Sequence, residues 1–223
     1  MATLTLIIGN KNYSSWSLRP WLFLRHHGIA FQEIPISLYT DAGTAQLRAT
    51  SPSGLVPVLR DDDLVVWDSL AICEYLAETY PQTNGWPRAA APRAVARSVS
   101  AEMHAGFREL RSVCSMNIRA RYRWKGGNAV LEQEVKRIEQ IWSECRARFG
   151  QGGPWLFGHF TIADAMFAPV AFRFETYDVP IASGAREYVQ TILTHPAARE
   201  WAEAARQERE IIPQYEFSDR ERR

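Results

Sequence analysis

Cysteine is scarce in this chain. Its 223 residues hold three, Cys73, Cys114 and Cys145, odd in number, far apart and without a Cys-x-x-Cys pair. A disulfide framework or a zinc site has no basis in that spacing. The expectation is a reducing, cytoplasmic compartment and no metal. Net charge is scarce too: 26 basic against 25 acidic side chains leave +1, without the positive footprint of a general nucleic-acid binder. No apolar run reaches the length of a membrane span. The opening Met1–Asn10 lacks the basic start of a signal peptide and reads as a buried strand. Neither nucleic acid nor a membrane is therefore expected as a partner. What is present is ordinary globular composition, 46% hydrophobic and 23% charged, enough for a sizeable core.

The charge divides unevenly. Residues 1–80 carry five basic and eight acidic side chains, −3, and the remainder is +4. At the join lies a turn-rich stretch, Tyr80-Pro81-Gln82-Thr83-Asn84-Gly85-Trp86-Pro87, followed by Ala89-Ala90-Ala91-Pro92. It predicts a domain over 1–80, a linker over 81–91 and a second domain over 92–223. In the first, Thr3–Ile8 reads as a strand and Ser17–His27 as a helix with Pro20 in its first turn and Gly28 as its stop. Phe31–Ile36 reads as a second strand, placed at an edge by Pro35. Val56–Leu59 and Leu64–Trp67 form a hairpin about Asp61-Asp62-Asp63, and Asp68 or Ser69 caps a helix to about Tyr80. The order β-α-β-(α)-β-β-α predicts a small mixed α/β layer. After the join the pattern is helical over 92–123, 128–149, 185–194 and 197–208, with a tail from Ser218 that reads as frayed. Between them, Thr161-Ile162-Ala163-Asp164 has the form of a capping box.

Three segments together resemble a cytosolic glutathione transferase of the serine type, zeta-like. They are Asn12-Tyr13-Ser14-Ser15-Trp16-Ser17-Leu18-Arg19; Ser51-Pro52-Ser53-Gly54-Leu55-Val56-Pro57-Val58-Leu59 with Trp67-Asp68-Ser69-Leu70-Ala71-Ile72-Cys73-Glu74-Tyr75-Leu76; and the Thr161–Asp164 box. The resemblance spans nearly the whole chain. It implies a fold of α/β plus all-α class, a thioredoxin-like N-terminal domain followed by a helical-bundle domain. It also implies glutathione as cosubstrate, a small electrophile as second substrate and a homodimer.

Glutathione brings a thiol with an unperturbed pKa of about 8.5, only a few per cent ionised at neutral pH. A hydroxyl donor at a helix N-terminus favours the thiolate. Ser14 and Ser15 both stand in such a turn; Ser14 matches the family position, and either also suits a plain helix cap. The resemblance implies a cis bond at Val56-Pro57, with the Val56 N–H and C=O pairing to the cysteinyl backbone as an added strand would. The Ser69 hydroxyl and the free N–H groups at its helix start suit the γ-glutamyl carboxylate, and Asp68 suits the neighbouring ammonium. Arg48 is the candidate for the glycyl carboxylate, with Thr40 in the same region. Trp16 stands where some relatives carry cysteine, which speaks against thiol-disulfide exchange. Arg19 is read equally as a family arginine and as half of an ion pair. For the electrophile, Met103 and Phe107 suit an apolar molecule, and His104, Arg108 and Arg111 an anionic one; Asn117, Arg119 and Arg121 are further polar candidates. The reading is a transferase joining glutathione to small, mostly hydrophobic electrophiles. A glutathione-dependent isomerase of the maleylacetoacetate type, a peroxidase, or a non-enzymatic interaction protein on the same scaffold are the alternatives.

Overall fold

The computed structural model describes residues 4–217 and 221–222; Thr3 and tail residues 218–220 and 223 lie outside them. The first part runs β1 (Leu4–Gly9), α1 (Ser15–His26), β2 (Phe31–Ile36), α2 (Asp41–Thr50), β3 (Val58–Asp61), β4 (Leu64–Trp67) and α3 (Ser69–Thr79). The strands form one sheet in the order β2-β1-β3-β4. β1 and β2 pair in parallel, Leu4 opposite Phe31 through Gly9 opposite Ile36. A parallel pair needs a crossover, and α1 supplies it. β3 joins β1 antiparallel, and β4 joins β3 antiparallel through a turn in which Asp62 takes φ 51°. Pro35 stands on β2, an edge strand, where a missing donor costs no ladder bond on the open side.

The second part is helical: α4 (Ala90–Ala105), α5 (Arg108–Val113), α6 (Ala129–Phe149), α7 (Ile162–Tyr177), α8 (Ser183–Thr194) and α9 (Pro196–Gln207). α7 is buried along almost its whole length and packs on α1, α4 and α8, so it forms the axis on which the two parts meet. Its sequence has little polar face, as a helix enclosed on all sides requires. One continuous core runs from Leu6, Leu18 and Phe23 through Phe167, Phe174 and Trp201; a smaller cluster of Ile7, Ile36 and Val58 lies apart from it, with Leu47 of α2 against it. α9 docks on α1 through Trp201 against Trp21, ring centres 5.0 Å apart. Among the described residues no helix is long and apolar enough to cross a membrane.

Several boundaries differ from the sequence reading, among them the start of β3 at Val58 rather than Val56 and that of α4 at Ala90, inside the stretch read as linker. α1 begins two residues earlier, because the Ser14 hydroxyl accepts from the Ser17 N–H at 3.3 Å and caps the helix there; Pro20 then falls inside the helix rather than in its first turn. The stretch 92–123 is not one helix. α4 ends at Gly106, Phe107 takes the left-handed conformation at φ 56°, α5 lasts six residues, and from Cys114 to Asn128 the chain is irregular.

Candidate functional site

The chain leaves β1 and turns sharply before α1: the N–H groups of Tyr13 and Ser14 both bond to the Asn10 carbonyl, at 3.1 and 2.8 Å. The two serines of this turn differ. Ser14 is buried; besides capping the helix, its hydroxyl donates to the Ser17 hydroxyl at 2.8 Å, which in turn accepts from the Gly9 N–H at 3.1 Å. Ser15 is half-buried, and its hydroxyl oxygen accepts from Nη2 of Arg173 on α7 at 3.1 Å. Among the described residues nothing accepts the Ser15 hydroxyl proton. Both serines stand at the positive end of α1.

Three arginines converge around this turn. Arg19 is 2% exposed, donates from Nη1 to the Ser69 hydroxyl at 3.3 Å, and leaves its Nε buried without a partner. Its guanidinium lies 4.3 Å from the centre of the Trp16 ring, and that of Arg111 lies 4.7 Å from the same ring. Such contacts stabilise a cation most where water is excluded. Arg111 donates to the carbonyls of Met103 and His104, which close the end of α4. Arg173 is 6% exposed; Nη1 donates to the Cys114 carbonyl and, at 3.5 Å, to that of Arg111. Burial, with Arg111 and Arg173 nearby, lowers Arg19 to about 9, and burial lowers Arg173 to about 10. Both remain charged at neutral pH. Among the described residues no carboxylate pairs with Arg173.

Asp68 precedes α3 with φ 75° and ψ 136°, a conformation costly to any side chain. Its carboxylate holds it there, accepting from the Leu70 N–H at 2.8 Å, and its other oxygen lies 3.3 Å from Nε2 of His104. The His104 ring meets Trp16 edge-on at 5.3 Å. Burial lowers the His104 pKa, against the pull of Asp68.

A cavity of about 520 Å³ opens between the two parts of the molecule, and Ser14, Ser15, Arg48, Val56 and Arg111 line it. The Val56–Pro57 peptide bond beside it is cis. Asp68 and Ser69 do not border the cavity; Arg19, Trp16 and His104 link them to it. Met103 and Phe107 are 2% and 7% exposed and belong to the core. Arg108 opens α5 away from the cavity wall. Larger hollows of about 770 and 680 Å³ lie elsewhere and border neither serine.

The wall also takes in residues that periodicity does not single out, among them Tyr13, Tyr39, Met116, Arg173 and Tyr215. A segment after α9 brings Tyr215 there. Glu208 accepts from the N–H groups of Lys11 and Asn12 at 2.5 and 2.9 Å. Asn117 donates to the Tyr215 carbonyl at 3.1 Å, and Arg119 donates to the Tyr13 hydroxyl at 2.8 Å and to the Glu210 carbonyl at 2.7 Å. The Tyr39 and Tyr215 hydroxyls meet at 2.6 Å. Tyr13 spends its own proton on Glu216 at 2.7 Å, and burial with that bond raises its pKa. Arg121 turns instead to the carbonyls of Ile118 and Ala120. Arg173 did carry a signal: it is the one charged residue between Asp164 and Glu175 on an otherwise apolar helix.

Family models described as glutathione S-transferase, N-terminal domain and glutathione S-transferase, C-terminal domain match residues 13–79 and 128–204. The chain is 30% identical over 177 residues to a maleylacetoacetate isomerase of Rhizobium meliloti (strain 1021), covering 76% of this chain and 82% of that one. It is 26% identical over 171 residues to glutathione S-transferase Z1 of Arabidopsis thaliana, covering 71% and 74%. Among solved structures, a glutathione transferase homolog from Burkholderia GL BGR1 with bound glutathione superposes with a TM-score of 0.71 at 21% identity, covering 92% of this chain and 100% of that one.

Proposed function

Because the chain belongs to the glutathione S-transferase family, we propose that it joins glutathione, as an enzyme-held thiolate, to a small electrophile seated in the 520 Å³ cavity. The observation that carries this reading is the meeting of the Ser14–Ser15 turn, the start of α1 and Val56 on one wall of that cavity. Glutathione lies along the sheet domain, its cysteinyl backbone on Val56 beside Pro57. Its γ-glutamyl group reaches Asp68 and Ser69, the first taking the ammonium and the second, with the free N–H groups of α3, the carboxylate. Arg48 takes the glycyl carboxylate. The thiol then stands at the hydroxyls of the turn and the positive end of α1. Both favour the anion over the thiol, and the held thiolate attacks a neighbour already in place.

Tyr13, Tyr39, Tyr215 and Met116 give the electrophile a largely apolar seat. Arg111 and Arg173 in the same wall favour a second reading, an electrophile bearing a carboxylate, as an isomerase acting on an unsaturated diacid requires. Conjugation of a neutral aryl halide and turnover of an unsaturated diacid, measured side by side, separate the two. The enzyme is further read as a cytoplasmic homodimer. Three buried cysteines suit the compartment, and Trp67, exposed on the edge strand β4, offers an apolar contact to a second copy. Sedimentation at several concentrations tests the dimer.

The sharpest test of the glutathione site is Asp68→Asn. The amide keeps an oxygen for the Leu70 N–H, the bond that holds the Asp68 backbone in place, but it loses the charge facing the ammonium. A charge-assisted bond contributes about 1.5–3 kcal/mol, so glutathione should bind about tenfold or more weakly with little change in melting temperature. Calorimetric titration reads the affinity, and equal affinity in D68N and wild type removes Asp68 from the site.

A further inference from the structure

We infer that Arg173 is a positioning residue that aims the Ser15 hydroxyl at the glutathione sulfur, which makes Ser15 rather than Ser14 the principal hydroxyl donor to the thiolate. This rests on the glutathione transferase reading and deepens it.

The argument starts from where each hydroxyl proton goes. Ser14 gives its proton to the Ser17 hydroxyl at 2.8 Å and its lone pair to the Ser17 N–H at 3.3 Å, so both functions are used inside the helix cap. Ser15 receives a hydrogen bond from Nη2 of Arg173 at 3.1 Å and has no acceptor for its proton among the described residues. A hydroxyl whose oxygen already accepts from a cation becomes a stronger donor, because each bond polarises the next. Ser15 is also the first residue of α1, where the helix dipole adds to the same effect.

Arg173 is built for this task. Its two nitrogens work as a rigid fork: Nη1 is fixed on the Cys114 carbonyl at the end of α5, and Nη2 reaches Ser15 across the junction between the two parts of the chain. A planar guanidinium spans two such acceptors; a lysine ammonium on its flexible stem does not. The titratable groups that weigh most on it are Tyr177 of α7, Cys114, Arg111 of α5 and Tyr215. The step it assists is ionisation of the bound thiol: the S–H bond breaks, its proton passes to solvent, and the electron pair stays on sulfur. Ser15 donates a hydrogen bond to that sulfur and keeps its own proton.

The test is the pKa of the enzyme-bound glutathione thiol, read from thiolate absorbance against pH in wild type, S14A, S15A, R173M, R173K and S15A/R173M. S15A and R173M should each raise that pKa by about one pH unit, a tenfold loss of thiolate below it. S15A/R173M should rise no further than S15A, because Arg173 acts through Ser15. R173K keeps charge without the fork and should rise by about half a unit. S14A should rise by less than S15A. An unchanged pKa in R173M, additive shifts in the double variant, or a larger shift in S14A than in S15A overturns the inference. An Arg173 that only ties α5 to α7 would lower the melting temperature and leave the thiol pKa in place. Should R173M fail to fold, R173K and the S14A–S15A pair decide by the same criteria. Wild-type protein that shows no thiolate signal with glutathione overturns the transferase reading itself, whereas a signal indifferent to Arg173 overturns this inference alone.

Discussion

Replacing Asp164 with alanine is expected to cost the fold about 4 kcal/mol, a large share of the stability of an ordinary domain. The carboxylate is fully enclosed and satisfies four donors. One oxygen accepts from the Thr161 N–H at 2.8 Å and the Thr161 hydroxyl at 2.9 Å; the other accepts from the Leu156 N–H at 3.1 Å and the Tyr188 hydroxyl at 2.8 Å. Burial pushes the Asp164 carboxyl upward, and the hydrogen bonds from Leu156, Thr161 and Tyr188 oppose that push. Alanine would strand two buried N–H groups that cannot turn elsewhere, at about 1–3 kcal/mol each. The hydroxyls of Thr161 and Tyr188 lose their partner as well. Because Asp164 stands in the first turn of α7, the damage falls on the helix that packs against α1 and α4. Urea unfolding of D164A and D164N against wild type measures it. The asparagine, which keeps one acceptor, should lose about half as much. A midpoint for D164A close to wild type would show that the box is not a keystone of the helical part.

That box was legible because its chemistry is local: a threonine and an aspartate three residues apart announce a helix start whatever surrounds them. The same holds for the sheet part. Gly28 takes φ 63° where the first helix stops, Asp62 turns the hairpin, and Asp68 caps α3, each a short-range instruction written in the residue type. The break after α4 was not legible. Gly106 alone does not announce it, and a phenylalanine gives no hint of φ 56°. What holds it is tertiary: the carbonyls at the end of α4 are taken by Arg111, and the carbonyl closing α5 by Arg173 from 59 residues away. A side chain that caps a distant helix end leaves no periodic trace.

The site divides along the same line. Ser14, Ser15 and Val56 belong to turns whose sequences state their geometry. The electrophile wall belongs to long-range structure. Met103 and Phe107 have helical spacing, which fits a cavity wall and a core face equally, and the structure places them in the core. Their place in the cavity goes to Tyr39 and Tyr215, joined at 2.6 Å across 176 residues. Neither lies in a regular element long enough to show a face. A charged residue enclosed by apolar neighbours, as Arg173 is, was the clearest sign available that something polar stands opposite.

Acid should destabilise the protein between pH 7 and pH 5, and three histidines explain why. His26 and His27 end α1 and His195 opens α9; all three gather around Phe160, and His159 lies in the loop before α7. His26 stacks on Phe160 at 4.0 Å, its Nδ1 meets Nε2 of His195 at 2.9 Å, and His195 and His27 lie within 6.0 Å of the same ring. Nε2 of His27 and Nδ1 of His195 are buried without a partner. A helix C-terminus ordinarily favours a cation, but here enclosure wins. Burial, then the neighbouring histidines, lowers His26 to about 3; burial and His159 lower His27 to about 4; burial lowers His195. The folded state thus holds His26, His27 and His195 neutral, while the unfolded chain takes up protons below about pH 6.5. Stability is full above that value and falls as pH descends towards the folded pKa values. A fully shielded histidine would lose about 2 kcal/mol between pH 7 and pH 5. Partial solvent screening reduces this to roughly 1 kcal/mol each for His26 and His27, with His195 adding in the same direction. Glu208 works against them, because burial raises its carboxyl and makes the folded state the better proton binder. Urea midpoints of wild type and of a His26→Gln/His27→Gln variant at both pH values read the difference. The variant is expected to start less stable at pH 7, since it loses the stacking on Phe160, but to lose about 2 kcal/mol less on acidification. Parallel pH profiles for the two proteins would assign the acid sensitivity to other groups.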